Sequence, residues 1–207
     1  LRLERVGILN NISRDLIILN YFAILAERPS GRFISLSPSI TEIMFAIGAG
    51  DSLAGVTAPA DHPPEASMKE IVASYDGILF EKIEAMRPRE CLTVAGMQSG
   101  ESLDVLSRLG IRVTEYPVST LDELIACIDD IGRKCGREKE AGKLTERIRK
   151  SVERISKELP FKKERAIFLV GLDPAVAAGK GSYLNDMCRA AGFVNVLEKV
   201  PPSYSVI

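Results

Sequence analysis

The chain has 207 residues, enough for one large domain or two small ones with a buried core. Hydrophobic residues make up 46% and charged residues 27%, ordinary proportions for a globular protein, and a net charge of −1 gives no reason to expect nucleic acid or an acidic membrane as partner. No tract approaches the roughly 20 apolar residues that a membrane-spanning helix needs.

Residues 1–32 read as an N-terminal extension. Its apolar run Leu16 to Ala26 follows Arg2, Arg5 and Arg14 as in a secretory leader, whereas Glu4 and Asp15 suit an amphipathic helix packed on a domain. Both alternatives stand. Phe33 to Leu36 is a short apolar run, taken as the first strand. Ser39 lies three residues before Glu42, the spacing of a capping box, and Ile40, Ile43, Met44 and Ile47 recur at helical spacing, so a helix with one apolar face is expected. Gly48 and Gly50 close it, and Leu53 to Val56 reads as the next strand of a βαβ unit. The turn Ser37-Pro38-Ser39 offers hydroxyls and N–H groups at a helix N-terminus.

The proline-rich stretch Ala58 to Ser67 cannot continue a helix or a central strand. Ser74-Tyr75-Asp76-Gly77 is a turn, followed by a helix through Phe80, Ile83 and Met86 that stops before Pro88. Cys91 to Ala95 is a strand, Gly96 to Ser99 a loop, Glu101 to Leu109 a helix and Ile111 to Tyr116 a strand. Thr120 with Glu123 forms a second capping box, opening a helix that carries Leu124, Ile125, Ile128 and Ile131. From Glu138 to Leu159 a charged helix bears a narrow seam, Ala141, Leu144, Ile148, Val152, Ile155 and Leu159, over a length of roughly 33 Å. Pro160 ends it, and Ala166 to Val170 starts a second sheet with room for about one βα unit. Alternation of strands and helices argues a parallel α/β sheet.

Catalytic chemistry has little to stand on. His62 is the single histidine and sits in a proline loop, so no Ser-His-Asp or Cys-His constellation can be assembled around a nucleophile turn, and no catalytic residue is assigned. A directly bound transition metal would need several His and carboxylate ligands, and none is assigned either. Gly179-Lys180-Gly181-Ser182 lacks the phosphate-loop spacing and reads as a cleft wall or a tight βα turn. Cys91, Cys127, Cys135 and Cys188 show no metal-ligand spacing and are read as buried free thiols. Cys127 and Cys135 lie two helical turns apart, too far to bridge on a regular helix.

In an open α/β domain the ligand cleft lies at the carboxyl ends of the strands. Here those loops are Ser37-Pro38-Ser39, Thr57 to Asp61, Ser74 to Asp76, Gly96 to Gln98 and Asp173 to Lys180.

The wording FISLSPSITEIMFAIGAGDSLAGVT, with Pro63-Pro64, SYDGILFEKIEAMRP, LGIRV, IGRKCGREKEA and AAGKGSYLNDM following in order, resembles the cobalamin- and iron-siderophore-binding proteins that feed ABC importers. The resemblance covers about 33–207. It implies an α/β fold with an N-terminal parallel-sheet lobe at 33–136, one long interlobe helix at 137–160, and a second α/β lobe at 161–207 that is incomplete at this chain length. It implies an extracytoplasmic protein, not an enzyme, that captures a preformed metal chelate and delivers it to a permease with its ATPase subunits. No cofactor is bound covalently or directly. The expected ligand-binding residues are Ser37, Pro38, Ser39, Pro59, Tyr75, Met97, Gln98, Ala178 and Lys180, with Tyr75 at a position where relatives line the cleft with an aromatic ring. Pro59 replaces the tyrosine of some relatives. Glu81 matches a glutamate that relatives present to permease arginines. The scarcity of basic residues in these loops favours a corrinoid over an iron-siderophore or haem. With about half a cleft present, weak or undetectable ligand binding is expected. The alternative without transport is a scaffold module whose charged helix mediates pairing.

Overall fold

The computed structural model describes residues 33–74, 76–158, 164–200 and 204–206. The expected leader, Tyr75, Leu159 and Pro160 lie outside the described residues. Strands β1 (Phe33–Ser35), β2 (Leu53–Thr57), β3 (Glu70–Ser74), β4 (Gly77–Ile78), β5 (Glu90–Val94) and β6 (Val113–Tyr116) form one sheet in the order β4-β3-β2-β1-β5-β6. Every pairing is parallel except that of β3 with β4. Parallel strands need helical crossovers, and these cover both faces of the sheet. Helices α1 (Pro38–Ala46), α4 (Leu121–Cys135) and α5 (Glu138–Glu158) share one apolar cluster with Phe33, Leu53, Val56 and Leu92. Helices α2 (Phe80–Met86) and α3 (Gly100–Arg108) share the other with Ile34, Leu36, Val72 and Cys91.

The helix starts follow from local chemistry, with one correction. Around α4 the expected capping box is present: Thr120 Oγ1 accepts the Glu123 N–H at 3.2 Å, and Glu123 Oε2 accepts the Thr120 N–H at 3.0 Å. Gly136 in the left-handed region (φ 65°) ends that helix. At α1 the expected Ser39–Glu42 box does not form. Pro38 occupies the first helical turn, where its fixed φ and missing N–H suit it, so Ser37 becomes the N-cap and makes no side-chain cap bond. The Ser37 hydroxyl instead pairs with Ser39 Oγ at 2.9 Å.

Helix α5 runs 21 residues, about 32 Å. Its seam behaves unevenly. Ala141 is buried and Leu144 and Ile148 pack on the core, whereas Ile155 is 37% exposed. After it come β7 (Arg165–Ala166), β8 (Leu169–Leu172), β9 (Ala175–Ala178), α6 (Tyr183–Ala190), β10 (Val194–Asn195) and β11 (Tyr204–Val206). β7 pairs with β10 in parallel, and β9 lies between β8 and β11 in an antiparallel sheet. The single strand expected over Ala166–Val170 is broken into β7 and β8, because β7 pairs with β10 in one sheet and β8 with β9 in another. Asp186 of α6 accepts the Leu121 N–H at 3.2 Å, tying α6 to the start of α4.

At the amino end of β5 a charged pair is buried. Glu90 is 2% exposed, and Lys134 Nζ donates to both its carboxylate oxygens at 2.8 and 2.9 Å, while the Thr114 hydroxyl also donates to it. Asp130 joins the group, 3.9 Å from Lys134 Nζ, accepting the Tyr116 hydroxyl at 2.8 Å and Arg133 at 2.9 Å. Burial and the Asp130 bond together push the Tyr116 phenol well above its usual range.

All four cysteines are free thiols, three of them buried. Burial raises Cys91 and Cys127 from the ordinary 9.0 to about 12, and Cys135 to about 11 against the opposing pull of Arg89, Arg137 and Lys134. The folded chain therefore holds protons that the unfolded chain releases above pH 9. This stabilising contribution is complete below pH 9 and is lost as pH rises through about 12. Urea unfolding at successive pH values is expected to show stability declining above pH 9, and thiol labelling at pH 8 to be slow until urea is added. Rapid labelling of all four thiols in the native protein would contradict this burial.

Candidate functional site

The carboxyl ends of β1, β2, β3 and β5 converge on one pocket of about 320 Å³. Its lining is Pro38 from the β1–α1 turn, Thr57 and Ala58 after β2, Ser74, Asp76 and Gly77 after β3, and Met97, Gln98, Ser99 and Ser102 after β5. This is where open parallel sheets place ligands, because the crossovers leave their turns gathered at one end.

The floor is held by hydroxyls rather than by packing alone. Thr41 Oγ1 donates to Ser35 Oγ at 2.9 Å, Ser35 Oγ donates to the Ser37 carbonyl at 2.7 Å, and Thr57 Oγ1 donates to the Ser35 carbonyl at 3.1 Å. Each of these side chains is buried, so every bond counts toward fixing the turn. Gln98 Nε2 donates to the Leu36 carbonyl at 3.0 Å, pinning the β5–α3 loop against the end of β1. Ser99 caps α3: its Oγ accepts the Ser102 N–H at 3.2 Å and lies 3.0 Å from the Ser102 hydroxyl. Asp76 brings the one ionisable group of the lining and is in no ion pair among the described residues. Among the described residues no Lys or Arg lines the pocket.

Of the site residues expected from sequence, Pro38, Met97 and Gln98 line this pocket. Ser37 is fully buried beneath it and Ser39 is exposed at the start of α1. Pro59 is exposed next to the lining residue Ala58. Tyr75 lies outside the described residues. Ala178 and Lys180 are not among the lining. Ala178 is fully buried in β9, its carbonyl accepting Asn195 Nδ2 at 2.9 Å, and Lys180 is exposed with its backbone N–H bonded to Leu197. Ser182 caps α6 through the Asn185 N–H, so the Gly179 to Ser182 stretch serves as a tight βα turn. Glu81 is exposed in the first turn of α2. Ser99 and Ser102 were not anticipated as site residues, although a serine N-cap after a parallel strand always stands at the strand's carboxyl end.

A larger groove of about 480 Å³ lies elsewhere, lined by His62, Glu42 and Glu65 around Ile43, Phe45, Leu124, Ile128, Leu144 and Ile148. It is the open continuation of the core shared by α1, α4 and α5. Among the described residues no Ser, Cys or Thr lines it beside His62. Among the described residues no three His, Cys, Asp or Glu side chains gather as metal ligands.

A family model, "Periplasmic binding protein", matches residues 34–205. The chain belongs to the periplasmic binding protein family. Among curated relatives, the vitamin B12-binding proteins of Yersinia pestis (strain Pestoides F) and Yersinia pseudotuberculosis serotype O:1b are each 29% identical over 173 residues, covering 83% of this chain. The chain spans 62% of the length of each. Among solved structures, the periplasmic vitamin B12 binding protein of Vibrio cholerae superposes with a TM-score of 0.74 at 25% identity, over 86% of this chain and 71% of that one. A possible iron-binding, periplasmic solute-binding protein of Staphylococcus epidermidis gives 0.71 at 26% identity, over 86% and 70%. The periplasmic heme binding protein of Vibrio cholerae shares the fold, with a TM-score of 0.73 at 23% identity over 86% and 70%. The resemblance drawn from the sequence motifs is thereby borne out, as is the α/β fold with a parallel-dominated sheet. The relatives are named as binding proteins rather than as enzymes.

Proposed function

We propose that this periplasmic binding protein is the extracytoplasmic substrate-binding component of an ABC importer, taking up a preformed metal chelate, with a corrinoid favoured over haem or a ferric siderophore. The carrying observation is the pocket at the strand ends, whose lining combines hydroxyls, an amide and one carboxylate, with no cation among the described residues. Haem propionates and catecholate siderophores bear negative charge, and burying an anion against Asp76 with no Lys or Arg costs free energy. A corrin rim carrying uncharged carboxamides donates hydrogen bonds to such a lining without that cost. Family membership and the 29% identity to vitamin B12-binding proteins support the same ligand class.

In this scheme residues 33–136 form one lobe, 137–160 the stiff connecting helix and 161–207 part of a second lobe. Pro59 and Lys180, both exposed, belong to cleft walls beyond the pocket described above. Glu81, exposed on α2, docks to basic residues of the permease, where a rim carboxylate sets register and speeds encounter. The test is a calorimetric titration with cyanocobalamin, haemin and a ferric catecholate, repeated on Ser102→Phe. Cyanocobalamin is expected to bind tightest, and the aromatic ring, filling the pocket, to weaken it at least tenfold. Haemin binding more tightly than cyanocobalamin, or a Ser102→Phe protein of unchanged affinity, would overturn the assignment.

A further inference from the structure

Helix α5 packs on the core through Ala141, Leu144, Thr145 and Ile148, leaving its opposite side to solvent. At 100° per residue, Lys139, Lys143, Arg147, Lys150, Arg154 and Lys157 fall within an arc of about 80° on that side. They form a straight ridge about 27 Å long. All six are exposed, and four of them gather around one shallow recess with Glu146 and Ser151. Glu146, Glu153 and Glu158 pair with Lys150, Lys157 and Arg154 from the flanks, whereas Lys143 and Arg147 have no ion pair among the described residues. A chain-wide charge of −1 hides this asymmetry.

The shape of the ridge selects its partner. On a helix of 5–6 Å radius with side chains, a carboxylate about 60° or more from the centre line of the ridge stands about 3 Å or more behind a plane touching the crest, while the outermost cations of the ridge stand only about 1 Å behind it. A flat anionic surface therefore meets the positive crest and leaves the acidic flanks in water, while a polyanion that wraps the helix meets both. We propose that the α5 ridge is a docking surface for a bilayer containing anionic phospholipid, holding the helix parallel to the membrane plane. The cations act together, as juxtamembrane basic segments do, and their attraction is screened by salt. The proposal is independent of the chelate assigned above.

Co-sedimentation of the full chain with vesicles of phosphatidylglycerol and phosphatidylcholine, or of phosphatidylcholine alone, tests it. Binding is expected only with the anionic lipid, falling at least tenfold between low salt and 0.5 M salt. The variant Lys143→Gln/Arg147→Gln/Lys150→Gln/Arg154→Gln is expected to lose at least tenfold in partitioning. Equal binding to both vesicles, salt-insensitive binding, or full binding by a folded quadruple variant would overturn the proposal. The salt titration of the unaltered protein decides it even if that variant does not fold.

Discussion

Replacing Lys134 with Met is expected to lower the unfolding free energy by about 3 kcal/mol at neutral pH, among the largest effects of any single substitution in this chain. Glu90 is 2% exposed, and its two oxygens are held by Lys134 and Thr114. Without the ammonium the carboxylate keeps only the Thr114 hydroxyl, so most of its desolvation is left uncompensated. Loss of one partner of a buried pair costs about 3–5 kcal/mol. Lys134 is itself 21% exposed, so water reaches part of the vacated space and the lower end applies. The double variant Glu90→Leu/Lys134→Met removes both charges and is expected to recover most of the loss, since an apolar pair there is close to neutral. Urea denaturation of the wild type, the two single variants and the double variant closes the cycle. A Lys134→Met loss under about 1 kcal/mol would mean that water, not the lysine, satisfies Glu90.

Gly132→Val is expected to be comparably damaging, by about 3 kcal/mol, through geometry rather than charge. A Cβ at Gly132 would stand 2.5 Å from the Ala141 Cβ and 3.3 Å from the Arg137 carbonyl oxygen. Arg137 belongs to the tight α4–α5 connection and Ala141 to the first turns of α5, and neither contact atom is the flexible end of a long side chain. The helices must therefore part, which opens the cluster of Ile128, Ile131, Ala141 and Leu144. Gly132→Ala meets the same overlap with a smaller side chain and regains about 1 kcal/mol of helix propensity, so its net loss is smaller. Gly142→Ala, where an added Cβ meets nothing within 4 Å, serves as the tolerant control. A Gly132→Val protein as stable as the wild type would show that α5 does not pack closely on α4.

The parts of this fold that were legible in the sequence are those with local causes. The apolar period through Ile40, Met44 and Ile47 and the box at Thr120 and Glu123 act within a few residues, and both α1 and α4 formed. At Ser39 two local signals competed. Pro38 set the helix start and the spacing to Glu42 lost its meaning. The β8–β9 hairpin was not legible as such, because Leu169–Leu172 and Ala175–Ala178 carry no alternation of polar and apolar residues, and their partner β11 is distant in sequence. The Glu90–Lys134 pair was invisible for the same reason: nothing local marks a lysine at the end of α4 as the partner of a strand glutamate 44 residues earlier. For the site, the strand-end rule located the loops, and Pro38 came together with Met97 and Gln98 from two separate stretches of chain. The contributions of Ser99 and Ser102 depended on how α3 enters the pocket, which the cap geometry alone settles.

The measurement that bears most directly on the carrier assignment is an amide chemical-shift map of the isotope-labelled chain titrated with cyanocobalamin to millimolar concentration, a range in which weak binding is visible. The expected result is a saturable set of shifts at Ala58, Asp76, Gly77, Gln98, Ser99 and Ser102, with α5 and the Glu90 network unmoved. No shift at any of these amides, or shifts confined to the groove around His62, Ile43 and Leu144, would contradict it.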